Sequence, residues 1–126
     1  MNILANLLKD FMDLYYNKVA NINITGIFNL CYPNVSYTIN NDHSSGSYNL
    51  LLNLTNRGIV KMEYNNLFGN IQIIDNNKVL VTVNGSARSI NLWGQHSTWY
   101  YFSEVFVLEH NGQSIMIKNY CYRALN

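Results

Sequence analysis

Trp99-Tyr-Tyr-Phe-Ser-Glu-Val-Phe-Val-Leu108, followed across the polar break His110-Asn111-Gly112 by Ile115-Met-Ile-Lys-Asn-Tyr-Cys-Tyr122, is the stretch whose reading decides the fold. Asn-Gly between two runs rich in aromatic and β-branched residues signals a hairpin, because Asn and Gly both tolerate the positive φ of a tight turn. An antiparallel sheet with one wet face alternates apolar and polar side chains. These strands do not. Tyr100, Phe102, Phe106 and Leu108 share one face with Glu104, while Trp99, Tyr101, Val105 and Val107 share the other with Ser103. On the second strand Met116, Tyr120 and Tyr122 oppose Ile115, Ile117 and Cys121. One face is expected to be covered by helices and the other by a partner chain. The expected dimer interface is Trp99, Tyr101, Val105, Val107, Ile115, Ile117 and Cys121. Burying about 800 Å2 per subunit, half of it apolar, would gain more than about 10 kcal/mol before association costs.

Upstream the extended pattern continues. Val79, Val81 and Val83 alternate with Leu80, Thr82 and Asn84, and Asp75-Asn76-Asn77 reads as the turn before them. Ile59 to Ile74 is a long strand interrupted around Asn65-Asn66 and Gly69, where a bulge is expected. The N-terminal part follows another period. Ile3, Leu4, Leu7, Leu8, Phe11, Leu14 and Tyr15 recur at helical spacing, so residues 2–18 form an expected amphipathic helix whose stripe needs a sheet to cover. A second helix is expected from Ile24 to Leu30, stopped by Tyr32-Pro33, since the residue before proline is pushed out of the helical region. Val35 to Ile39 reads as a strand, Asp42 to Gly46 as a turn-rich loop, and Tyr48 to Asn56 as a third helix capped by Gly58. Helices first and strands last make an α+β pattern. At 126 residues, one domain spanning 1–126 is the expected organisation.

Charged residues are only 12% of the chain against about 25% in ordinary soluble proteins, and ten tyrosines lead an aromatic content of 13%. Such a surface either hides against a partner or uses Asn in place of Lys and Glu; composition leaves both open. Net charge is +1 and the eight basic residues are scattered, so no footprint for nucleic acid or an acidic membrane is present. No run reaches the about 18 apolar residues that a membrane span needs. Cys31 and Cys121 lie far apart without metal-ligand spacing, and neither a metal nor another cofactor is expected.

Phe102-x-Glu104-x-Phe106-x-Leu108 and Asn119-x-x-Tyr122-Arg123, with Phe11-x-x-x-Tyr15-Tyr16 on the first helix, resemble the nuclear transport factor 2 family. Its members carry F-x-Q-x-F-x-L and N-D-x-F-R on their last two strands and F-x-x-x-Y-Y on helix one. Tyr32-Pro-Asn-Val-Ser36, Gly46, Gly85 and Asn70-Ile-Gln72 fall at the family's spacing. The resemblance implies a cone of three N-terminal helices packed on a curved antiparallel sheet. It also implies a homodimer or a heterodimer with a similar chain, and a non-catalytic adaptor in nucleocytoplasmic transport, for protein import or mRNA export. Phenylalanine-glycine nucleoporin peptides would be its ligands, and the cytoplasm, nucleus and nuclear pore its location. Leu4 stands where the family's carrier uses a Trp for these peptides; Leu8, on the same stripe, and Leu92 and Trp93, in a long loop, complete the expected partner surface. The carrier pairs acidic loop residues with the GTPase Ran. Here the loop Ser86 to Ser97 has no carboxylate, which argues against Ran recognition by that mode. Trp93 reads either as a contact anchor or as a lid on the cone.

The same cone holds isomerase- and dehydratase-type active sites, which need a carboxylate or His in an apolar pocket with a phenol or acid opposite. That is the alternative function, beside a peptide-binding scaffold of stress-granule type. Asp13, Glu63, Glu104, His96 and the many tyrosines are the candidates, and Glu104, which shares a strand face with Phe102 and Phe106, is the one to examine as a catalytic group. A buried carboxylate there must be paired or protonated, so pairing with Arg123 or a tyrosine hydroxyl competes with a catalytic role.

Overall fold

The computed structural model describes residues 3–46, 52–111 and 113–125. Helix α1 (Ile3–Ala20) buries Leu8, Phe11, Tyr15 and Val19, one residue per turn along a single stripe, as its period requires. Leu8 is thereby inside the core rather than on the partner surface expected for it. Helix α2 (Ile24–Phe28) starts at Asn23, whose side chain accepts from the Gly26 N–H at 2.8 Å. Helix α3 (Leu52–Asn56) ends as expected on Gly58, which has φ 75° and donates to the Thr55 carbonyl. The expected start of this helix, from Tyr48, lies outside the described residues.

Six strands follow or interleave: β1 (Cys31–Ile39), β2 (Asp42–Ser45), β3 (Ile59–Ile73), β4 (Lys78–Asn91), β5 (Tyr100–His110) and β6 (Ile115–Leu125). They form one curved sheet in the order β2-β1-β6-β5-β4-β3. Two expectations are corrected here. Asp42 to Ser45 is a short edge strand rather than a loop, because Asn40 and Asn41 take φ 50° and 79° and turn the chain back antiparallel onto β1. The sheet is also not wholly antiparallel, since β1 runs parallel to β6, pairing Tyr37 with Tyr120 and Ile39 with Tyr122. Such a neighbour cannot be read from local patterns, because the two strands are joined through the rest of the fold.

Two of the four register shifts in the sheet matter most for its faces. In β3 the register jumps between Asn65 and Phe68, with Asn66 at φ 56°, at the first of the two places the sequence marks. Opposite it a Cβ on Gly85 would lie 2.8 Å from the Leu67 side chain and 3.3 Å from the Asn65 carbonyl, so the strand approaches too closely for a larger residue. In β6, Leu108 pairs with Ile117 but Val107 with Asn119, which leaves Lys118 as an extra residue. That one residue reverses the facing of everything before it. Ile115 and Ile117 are buried on the helix-covered inner face with Tyr120, not on the outer face with Cys121 as strict alternation predicts. Both are removed from the expected dimer interface.

The core lies between α1, α2 and this inner face. Val79, Val81, Val83 and Ala87 of β4, Phe102, Phe106 and Leu108 of β5, and Val35 and Tyr37 of β1 are its sheet side. Tyr15 packs edge-on against Phe106 at 4.9 Å between ring centres.

Candidate ligand pocket and interaction surfaces

Glu104 projects from the inner face of β5 between Phe102 and Phe106 and is only 2% exposed. Helix α1 brings Tyr16 over it, and that hydroxyl donates to Oε1 at 2.5 Å. Tyr120, on the neighbouring β6, donates to Oε2. The carboxylate is therefore clamped by two phenols, one from a helix and one from the sheet. Arg123 is not its partner: it is exposed and donates to the Asn41 side chain at 3.1 Å. Burial pushes the Glu104 carboxyl up to about 7, against the bonds from Tyr120 and Tyr16, which favour its charged form. The same burial, reinforced by the Glu104 charge, raises Tyr15, Tyr16, Tyr64 and Tyr120 above the usual phenol range.

A cavity of about 400 Å3 opens from this carboxylate to solvent. Its floor is Tyr15, Glu104 and Tyr120, all buried, and its wall carries Val19, Ile59, Met62 and Tyr64. Asn40, Arg57, Ser97 and Thr98 are exposed and form the rim. Near it Tyr122 donates to the Tyr100 hydroxyl at 3.2 Å. The size falls in the range of about 300–1,000 Å3 usual for small-molecule sites. A carboxyl titrating close to neutrality at the floor can give or take a proton, and the phenols can hold a polar group in place. The other sequence candidates stand elsewhere: Asp13 is exposed and pairs with Lys9 at 3.0 Å, Glu63 pairs with Arg88 at 2.6 Å, and His96 lies in a loop bridged to Ile90. Among the described residues no group of His, Cys, Asp and Glu could hold a metal.

Of the motif residues, Phe11, Tyr15, Tyr16, Phe102, Glu104, Phe106 and Tyr122 meet around the inner face, while Asn119 and Arg123 point outward. Sequence reasoning missed Arg57 as a pocket residue and counted Tyr64 and Tyr100 only among the many tyrosines. Tyr64 and Tyr100 carry a weak signal, each lying in phase with buried neighbours of its strand, Met62 and Phe102; Arg57 carries none, because its place depends on how α3 meets β3.

The outer face is open. Tyr101 is 70% exposed, Trp99 and Cys121 are exposed, and Val105 and Val107 are half-buried. Leu4 is half-buried against the core. The loop between β4 and β5 is held by Asn91, whose side-chain oxygen accepts from the Trp93 and Gln95 N–H groups, both at 3.0 Å. Arg88 stacks over Trp99 at 4.8 Å. Trp93 at its tip is 79% exposed, with Leu92 beside it, and faces solvent rather than closing the cone.

No protein-family model matches the chain, and no curated protein matches it in sequence. Solved structures do. Nuclear transport factor 2 from Cryptosporidium parvum superposes with a TM-score of 0.75 at 22% identity, covering 96% of this chain and 94% of that one. The fold is nuclear transport factor 2-like. A protein from Novosphingobium aromaticivorans named as a scytalone dehydratase matches at a TM-score of 0.81 and 10% identity, over 98% of this chain and 85% of its own. One from Streptomyces avermitilis, named as a dehydratase of the same fold family, matches at 0.76 and 10%, over 97% of each chain. The nuclear transport factor 2-like fold thus serves proteins named as enzymes as well as a transport factor, and the fold alone does not choose between them.

Proposed function

We propose that this chain is a non-catalytic, dimeric adaptor of nucleocytoplasmic transport, serving protein import or mRNA export and binding phenylalanine-glycine nucleoporin peptides. The observation that carries this reading is the way Glu104 is used. Where an enzyme of this shape needs a free base, both oxygens of Glu104 are engaged by the protein's own phenols, which tie α1 to the sheet. Aromatic surface is presented outside instead, by Tyr101 on the sheet, by Trp99 just before β5 and by Trp93 in a braced loop. The likeness to a transport factor at 22% identity, against 10% for the two dehydratases, supports the same direction. The interface would comprise Trp99, Tyr101, Val105, Val107 and Cys121, and the peptide surface Leu4, Leu92 and Trp93. Such a protein works in the cytoplasm, the nucleus and at the pore. Light scattering should give twice the 14.6 kDa chain mass at micromolar concentration, and Trp93→Ala should weaken binding of a phenylalanine-glycine repeat peptide. A monomer that binds neither the peptide nor a second, similar chain overturns the reading.

A second reading, a small-molecule enzyme of isomerase or dehydratase type, is favoured by one observation: the near-neutral carboxyl at the floor of a sizeable cavity. Glu104→Gln separates the two. It would abolish turnover in an enzyme and leave peptide binding intact in an adaptor.

A further inference from the structure

The cavity has a charge pattern that the adaptor reading does not use. Its floor and wall are aromatic and aliphatic, and among the described residues its lining contains one carboxyl, Glu104, buried between phenols, and one cation, Arg57, on the rim. Among the described residues four other cations have side-chain partners, Lys9 with Asp13, Arg88 with Glu63, Lys118 with Glu109 and Arg123 with Asn41, and none of the four lines the cavity. Arg57 belongs to none of these pairs. Arg57, Tyr100 and Tyr122 line the same cavity, and the Arg57 charge opposes the rise that burial causes at the Tyr122 hydroxyl. Tyr122 donates to Tyr100, which leaves the Tyr100 proton free to turn toward a ligand. A guanidinium and a phenol lining one largely apolar cavity complement an anionic group on an apolar body.

We propose that the cavity is a binding site for a small amphipathic organic anion, with its apolar ring or chain in the well and its carboxylate or sulfonate held at the mouth by Arg57 and Tyr100. The rings of Tyr15 at the floor and Tyr64 in the wall suit a flat apolar body. Glu104 stays at the floor, away from the anion, and sets how deep the apolar part reaches. The site is distinct from the outer face and the Trp93 loop, so it can exist whether or not the chain is a transport adaptor.

The test compares two fluorescent probes of nearly one shape, anilinonaphthalene sulfonate and uncharged phenylnaphthylamine, titrated against the full chain. The sulfonate should bind at least tenfold tighter. Arg57→Gln should erase that preference while leaving the uncharged probe's affinity unchanged. Thr98→Trp, which adds bulk to the rim, should remove binding of both, with the melting temperature of each variant confirming that it is folded. Absence of binding, equal affinity for the two probes, or equal loss of both in Arg57→Gln would overturn the proposal. So would sulfonate binding that persists in Thr98→Trp, which would place the dye on the outer face. Neither dimer mass nor nucleoporin peptide enters these readouts, so this site and the adaptor reading can fail separately.

Discussion

The inner and outer faces of the sheet are built from the same strands and from similar residues, yet they meet opposite fates. On β5, Phe102, Phe106 and Leu108 are buried on the helix-covered inner face, while Tyr101, one position away, is largely in water and Val105 and Val107 are half-covered. Apolar character on a strand therefore does not say what covers it. Geometry does: the helices cover one side of a curved sheet, and the other side remains for something else or for solvent. The inner face also accepts a polar exception, Glu104, because it can supply Tyr16 and Tyr120 as donors.

The sharpest attack on this difference is to delete Lys118. Restoring strict alternation in β6 would force Ile115 and Ile117 outward or Tyr120 and Tyr122 off the inner face, so a loss of more than about 4 kcal/mol is expected in urea denaturation. Retained stability would show that the bulge does not set the facing. Next in size, Phe106→Ala on the inner face should cost about 3–5 kcal/mol, because the ring is fully buried against Tyr15 and Tyr120.

Glu104 gives the difference a pH signature. Its folded carboxyl titrates near 7, above the ordinary value of 4.5, so the folded state holds its proton more tightly than the unfolded chain does. Its contribution is therefore complete below about pH 4.5 and declines as pH rises to about 7, on the order of 3 kcal/mol in all. Denaturation midpoints across that window should fall with pH in the native chain and lose this part of their slope in Glu104→Gln. An unchanged slope in the variant would assign the dependence to other groups. A smaller loss, about 1 kcal/mol, is expected for Gly85→Ala, since the Leu67 side-chain end can move away but the Asn65 carbonyl cannot move far. Smallest of all, Tyr101→Ser on the outer face should change stability by no more than about 0.5 kcal/mol at low protein concentration while reducing any dimer mass. A large loss there would mean that the two faces are not independent.

Much of the architecture was legible locally. The 3.6-residue period through Leu8, Phe11 and Tyr15 specifies α1 and its buried side, although Leu14, read into the same stripe, is exposed and the buried line runs on to Val19. The polar breaks at 75–77 and 110–112 fall between the strand pairs β3–β4 and β5–β6. Glu104 stood out because a carboxylate among Phe102, Phe106 and Leu108 needs an explanation. Its partners did not stand out, since Tyr16 lies 88 residues away and only the packing of α1 across β5 brings the hydroxyl within reach. Asn40 and Asn41 carried a turn signal of the same kind as the other hairpins, but the polar strand Asp42–Ser45 that follows lacks the apolar alternation by which strands are recognised.

The sequence by itself determined the α+β order, the helix stripe, the hairpins and the oddity of Glu104, because each depends on contacts or periodicities within a few residues. Tertiary structure alone decided the parallel pairing of β1 with β6, the reversal of Ile115 and Ile117 by the extra Lys118, and the meeting of Arg57, Tyr64, Tyr100 and Glu104 around one cavity. The physical reason is shared. Each of these depends on register and proximity between segments distant in the chain, and register is set by the simultaneous burial of both partners rather than by the pattern of either one.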